Sequence, residues 1–308
     1  MPAIEVSDLR KSYGDVQAVD GVTFDVRAGE VYALLGENGA GKSTIVEILE
    51  GHRKASSGRV EVLGLDPDTA GRDFRDRIGI VLQSSGVERE FTVREVIELY
   101  GGCYRKRRGV DELVRMVGLE EKVDSRVGTL SGGQRRRVDL ALGIVGEPEL
   151  LFLDEPTTGF DPSARRKAWD LIEQLGSDGT TVMLTTHYLD EAERLADRVG
   201  VLSRGRLIAE GTPEELISMV SGTVVSFMLP DGVAPADAGS TFGRVLGVEI
   251  RVSGRLVEAT IDHAAGAVNR LTGWALEAGV ELDSLSVSRA SLEDVYLALT
   301  DPAEGDVQ

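Results

Sequence analysis

Little in this sequence can hold a crosslink or a soft metal. Cys103 is its only cysteine, and His52, His187 and His263 are its only histidines in 308 residues. One cysteine excludes a disulfide framework within the chain, and a zinc site built from cysteine and histidine has too few donors. Long apolar runs are also missing. Val31–Leu35 and Leu150–Leu153 fall far short of the ~18 residues read as a membrane span, so any passage across a bilayer belongs to a partner. Positive charge is scarce as well: 34 basic residues stand against 52 acidic ones, a net charge of −18. That field repels phosphate backbones, so no nucleic-acid partner is expected. The opening stretch, Met1 to Arg10, alternates apolar and charged residues and lacks the basic-then-apolar layout of a secretory signal. The chain is expected to stay in the reducing cytosol. What is present is a chain 42% hydrophobic and 28% charged, enough for one large domain and one small one.

Short apolar runs at Val31–Leu35, Ile78–Leu82, Leu150–Leu153, Thr181–Thr185 and Val199–Leu202 alternate with longer amphipathic segments. This pattern predicts an α/β fold with a mostly parallel, buried sheet. Period-2 stretches around Ile4–Leu9, Val22–Arg27 and Gly58–Leu63 predict an antiparallel β layer beside it. Between about residues 84 and 147 the periodicity turns helical, which reads as a lobe inserted into the core. Thr212, Pro213 and Glu215 form a helix start, with a threonine cap and proline at the first helical position. Beyond Ser221 the composition shifts to Val, Ala and Gly, and residues 221–308 hold 13 acidic against 5 basic residues. The expected division is therefore 1–220 and 221–308, the second a small α+β domain. It carries strand-like runs at Val224–Leu229, Val248–Val252, Leu256–Ile261 and Leu282–Val287. One of its two amphipathic helices repeats Val268, Leu271 and Trp274; the other repeats Leu292, Val295, Tyr296 and Leu299.

Gly36-Glu37-Asn38-Gly39-Ala40-Gly41-Lys42-Ser43 fits G-x-x-x-x-G-K-[ST] and sits between a strand-like run and the helical run that opens at Thr44. Glycines let such a loop curl so that backbone N–H groups and the helix N-terminus face phosphate oxygens. Lys42 adds a cation, and Ser43 offers a magnesium ligand. Leu150–Leu153 ends in two adjacent carboxylates, Asp154 and Glu155, an arrangement that is costly unless a cation sits at the strand tip. Asp154 is then a magnesium ligand and Glu155 the general base for an attacking water. Alone, the pair would be an ordinary acidic strand end; the phosphate loop gives it meaning.

Leu130-Ser131-Gly132-Gly133-Gln134 resembles the signature of ABC ATPases, and the resemblance covers about residues 3 to 215. It implies a phosphate-loop ABC ATPase core using ATP and Mg2+. It further implies that Tyr13 stacks on adenine, that Gln83 touches magnesium and the attacking water, and that His187 bonds the γ-phosphate and orients Glu155. Asp161 resembles the aspartate that couples two sites, with Phe160 in place of the commoner leucine. Ser131 and Gly132 precede a helix whose positive end faces phosphate held by another subunit, so the working unit is a pair of identical chains. Arg135, Arg136 and Arg137 point in different directions on a helix and read as a mostly solvated face.

About ninety residues separate Lys42 from Ser131, too few for the coiled coil of DNA-repair relatives. One phosphate loop argues against the two-headed ribosomal kind. The ending Ser291–Thr300 looks like that of ATPase subunits of daunorubicin-resistance type drug exporters. This implies a peripheral protein at the cytoplasmic face of the membrane, beneath a separate permease subunit. An importer ATPase and an iron–sulfur assembly ATPase remain as alternatives.

Overall fold

In the computed structural model, residues 2–82, 86–219, 222–230, 233 and 235–300 are described. The chain divides into two compact units, Met1–Pro213 and Glu214–Gln308, so the division falls seven residues before the composition change at Ser221. Among the described residues, no helix is long and apolar enough to cross a membrane.

The first unit opens with β1 (Pro2–Tyr13), β2 (Val16–Arg27), β3 (Val31–Leu35), α1 (Lys42–Leu49), β4 (Ser57–Val62), α2 (Arg72–Arg75) and β5 (Ile78–Val81). A helical stretch comes next, with α3 (Val93–Gly101), α4 (Val110–Met116) and α5 (Gly132–Ile144). Then come β6 (Leu150–Asp154), α6 (Pro162–Ser177), β7 (Thr181–Thr186), α7 (Leu189–Leu195), β8 (Arg198–Ser203) and β9 (Arg206–Gly211).

Strands β3 and β7 are buried along their whole length, as is β6 up to Asp154. This is why they read as unbroken runs of apolar residues and threonine. They lie in a six-stranded sheet ordered β5-β6-β7-β3-β8-β9, parallel except for β9, which pairs antiparallel with β8. The register aligns the strand ends: Leu35 pairs with Thr186, and Asp154 pairs with Thr185. The carboxyl ends of three neighbouring strands therefore deliver Gly36, Glu155 and His187 to one edge, the place where open α/β sheets bind ligands.

A separate antiparallel sheet, β2-β1-β4, turns Ile4, Val6, Leu9, Val22, Phe24 and Val26 into a core shared with Tyr32, Leu34 and Phe152. The Phe24 and Tyr32 rings stack with centroids 5.3 Å apart. In the helical stretch, α3 starts with a capping box in which Thr92 and Glu95 each satisfy the other's backbone N–H.

The second unit carries α8 (Pro213–Met219), whose first residue is the last of the first unit, then β10 (Thr223–Met228), α9 (Pro235–Leu246), β11 (Arg251–Ser253), β12 (Leu256–Ile261), α10 (Ala264–Ala278), β13 (Ser286–Arg289) and α11 (Leu292–Thr300). Its sheet runs β11-β12-β10-β13, all antiparallel. With α9 and α10 this is a split βαβ pattern. The core includes Val225, Phe227, Phe242, Val257 and Leu271, with Phe242 edge-on to both Phe227 and Trp274. Helix α9 was not expected. Gly239 and Gly243 give its sequence the look of a loop, yet Ala238, Phe242 and Leu246 recur every fourth residue and bury completely.

Candidate nucleotide-hydrolysis site

The loop from Gly36 to Gly41 turns the chain from β3 into α1. Gly41 sits at φ +107°, and a Cβ there would lie 2.5 Å from the Ala18 carbonyl oxygen. A Cβ on Gly36 would lie 2.4 Å from that of Leu202, so neither position tolerates a side chain. Glu37, Asn38 and Gly39 are exposed at the tip while Ala40 is buried behind them. Lys42, Ser43 and Thr44 form the first helical turn, where backbone N–H groups have no acceptor within the helix. The Lys42 ammonium donates to the carbonyls of Gly36 at 2.7 Å and Glu37 at 3.0 Å, which ties the loop back onto itself. It also lies 4.0 Å from the Glu155 carboxylate. Burial pushes its pKa down from the ordinary lysine value, against the opposing pull of Glu155, Asp154 and Glu37.

Asp154 and Glu155 point into the same space. The Ser43 hydroxyl is 3.3 and 3.4 Å from the two Asp154 oxygens, and Thr185 donates to Asp154 at 2.5 Å. Glu155 has a left-handed backbone, φ 47°, unusual for a residue with a side chain. The conformation is held by its own N–H, which donates to both the carbonyl and the hydroxyl of Thr185. Five other described non-glycine residues, Asp8, Leu63, Glu147, Arg204 and Ser284, share this conformation, so the backbone alone does not mark Glu155. Glu155 is buried, with its side chain 10% exposed. His187 Nδ1 lies 3.1 Å from one of its oxygens, and Thr158 donates to the other at 3.3 Å.

Other sequence-predicted residues lie apart from this cluster. Tyr13, at the end of β1, is 40% exposed, with the Lys11 and Arg53 cations over its ring. Ser131 caps α5 in a box closed by Gln134: Ser131 accepts from the Gln134 N–H, and the Gln134 side chain accepts from the Ser131 N–H. Ser131 and Gly132 are exposed, and the described side-chain bonds of Ser131 and Gln134 stay within the cap. Asp161 caps α6 through the N–H groups of Ser163 and Ala164, and Phe160 beside it is buried. Gln83 lies outside the described residues.

Two of the three arginines of α5, Arg136 and Arg137, correct the expectation of a solvated face. Arg136 is 93% buried. Its guanidinium donates to the carbonyls of Leu82, Asp154, Glu155 and Pro156, so it clamps the end of β5 to the loop that carries Glu155. Burial pushes its pKa down, opposed by Asp139, Asp154, Glu155 and Glu191. Arg137 donates to Val117 and Gly118 behind α4. A signal was present: Arg136, Leu140 and Ile144 recur at i, i+4 and i+8 on the buried stripe of α5.

Comparison with known proteins agrees with this geometry. The ABC transporter family matches residues 19–158, and a C-terminal domain family described as "ABC transporter domain-containing protein-like" matches 223–291. Daunorubicin resistance ATP-binding protein DrrA3 of Streptomyces coeruleorubidus is 39% identical over 303 residues, covering 97% of this chain and 96% of its own. The chain belongs to the ABC transporter ATP-binding subunits. Nod factor export ATP-binding protein I of Rhizobium meliloti is 45% identical over 228 residues, 72% of this chain and 68% of that one. Among solved structures, a dimeric post-hydrolysis ATP-binding cassette, MJ0796 bound to ADP and Pi, aligns at TM-score 0.63 and 26% identity, covering 68% of this chain and 98% of its own. The chain is thus an ATP-hydrolysing ABC cassette with a C-terminal extension.

Proposed function

We propose that this ABC ATPase works as one of two identical heads that close over shared ATP and drive export through a separate membrane subunit, at the cytoplasmic face of the membrane. One observation carries the reading. The phosphate loop and Glu155 converge in one place, while the Ser131–Gly132 end of α5 stands exposed, with the described side-chain bonds of Ser131 and Gln134 confined to their own cap. A second copy presenting that helix end to the γ-phosphate completes the site, since a helix N-terminus favours anions.

Within each half-site, Lys42 and the first turn of α1 bind the phosphates. Glu155 takes the proton of the attacking water, and His187 holds Glu155 by Nδ1; a hydrogen bond from Nε2 to a phosphate oxygen at the same time needs a proton on both ring nitrogens. The hydroxyl of Ser43 and the carboxylate of Asp154 are the hard oxygen donors magnesium prefers. A magnesium ion held by these residues would supply positive charge against the phosphates.

For the membrane subunit, a cavity of about 300 Å3 beside β5 offers an entry point, lined by Ile78, Ile80, Leu82, Tyr100, Tyr104 and Leu142 among others. Leu82, Leu99 and Tyr100 are exposed, at 49%, 57% and 42%. The names of the relatives, daunorubicin resistance and Nod factor export, support export of an amphipathic small molecule. To test this, the tagged chain is purified from detergent-solubilised membranes of cells that make it. A membrane protein of several spans should accompany it in roughly equal amount, and Leu82→Asp should lose it. A chain ending at Val220 should keep its ATP affinity but pair less well. Recovery with no such membrane protein contradicts the transport reading.

A further inference from the structure

We propose that Glu191 is a positioning residue for ATP hydrolysis, its buried carboxyl group binding the Glu155 loop, the helix that follows His187 and the helix headed by Asp161 into one unit. Glu191 lies on α7, four residues beyond His187, and is fully buried. One of its oxygens accepts two hydrogen bonds from other elements. Thr157, two residues beyond Glu155, donates at 2.7 Å. The Trp169 indole of α6 donates at 2.9 Å. Thr157 is itself fully buried, so its hydroxyl has no water to turn to. The second Glu191 oxygen is buried with no hydrogen-bond partner among the described residues.

A buried carboxyl group is costly, and burial with one oxygen unpaired more so. An apolar side chain in the same space would pack α7 on α6 without that cost. What the carboxyl group adds is direction. It fixes the rotation of the Thr157 hydroxyl and therefore the path of the chain through Pro156, next to a Glu155 backbone already in a left-handed turn. The same α7 carries the chain away from His187, whose Nδ1 lies 3.1 Å from Glu155. The base and the histidine that orients it are thus held from behind by one side chain. This inference rests on the reading of Glu155 as the base.

The experiment compares Thr157→Val, Thr157→Ser, Glu191→Gln and Glu191→Leu with the parent in full-length protein, measuring kcat, KM for ATP and melting temperature. Thr157→Val removes the donor at constant shape. It should lower kcat about tenfold, the scale of one hydrogen bond, with KM within about twofold. Thr157→Ser restores the hydroxyl and should restore kcat. Glu191→Gln keeps an oxygen that accepts from Thr157 and Trp169 and should stay within about threefold of the parental kcat, whereas Glu191→Leu removes the acceptor and should lower kcat as Thr157→Val does. The Thr157→Val/Glu191→Leu double variant should fall little below the worse single one, because both report one bond. If Glu191→Leu fails to fold, the threonine pair decides alone. Parental kcat in Thr157→Val with only a lower melting temperature would show a purely structural bond and overturn the proposal. Activity in Glu155→Gln, measured alongside, would instead overturn the base assignment.

Discussion

Replacing Arg136 by methionine removes a cation that no sequence motif marks as important. Its guanidinium donates to four carbonyls, on Leu82, Asp154, Glu155 and Pro156. Hydrogen bonds from a charged donor contribute about 1.5–3 kcal/mol each, but four that share one group are not additive. Relief of the buried charge offsets part of the loss, leaving a net cost of about 4 kcal/mol. At roughly 2–4 °C per kcal/mol for a unit of this size, melting should fall by about 10 °C. Function should suffer more than stability. The Glu155 loop loses its anchor, and a displacement of about 1 Å at a catalytic group costs on the order of a hundredfold in rate. Arg136→Lys keeps the charge but cannot span both the β5 end and the Glu155 loop, so it should lie between. Scanning calorimetry and steady-state ATPase assays read the two effects. An Arg136→Met protein that melts and hydrolyses ATP like the parent refutes the clamp.

Tyr13→Phe should bind ATP nearly as the parent does, and Tyr13→Ala should lose about 1–2 kcal/mol, the scale of a base on an aromatic ring; equal affinities by calorimetry would return Tyr13 to a structural part. Glu50 is the second perturbation: burial, with help from Asp154 and Glu47, raises its carboxyl from 4.5 to about 8. Between those values the folded chain holds a proton that the unfolded chain releases, so stability falls as pH rises from about 4.5 to about 8. Glu50→Gln should therefore be neutral below that window and stabilising by a few kcal/mol above it. Urea midpoints at both ends of the window check this, and an equal gain at both would contradict it.

The phosphate loop, the Asp154–Glu155 strand end and the buried parallel strands were legible because each is a backbone requirement. A glycine needed at φ +107° or a strand buried on both faces leaves few choices of residue. Side chains that act through distant carbonyls left weaker marks. Arg136 sits in a run of three arginines, and Glu191 sits among Asp190 and Glu193, so both blend into what looks like a solvated helix face. Only the i, i+4 relation to buried neighbours sets them apart. Strand β9 and helix α9 were missed for a similar reason. Strand β9 has an irregular in-and-out burial pattern after a tight turn at Gly205, and α9 contains two glycines. The C-terminal strands at β10 and β12 were plain, since Val225, Phe227, Val257 and Ala259 alternate cleanly with less buried residues on the other face.

In the function proposed above, hydrolysis at the end of β6 depends on Glu155 above any other residue. Glu155→Gln keeps the size of the side chain and one oxygen near His187, and leaves Lys42, Ser43 and the phosphate loop untouched. ATP affinity, measured by isothermal calorimetry on the purified chain, should stay within about twofold of the parent. Steady-state hydrolysis in the same preparation should fall at least about a hundredfold, the usual contribution of a general base. Hydrolysis near the parental rate with ATP still bound would contradict the assignment and, with it, the site drawn around the end of β6.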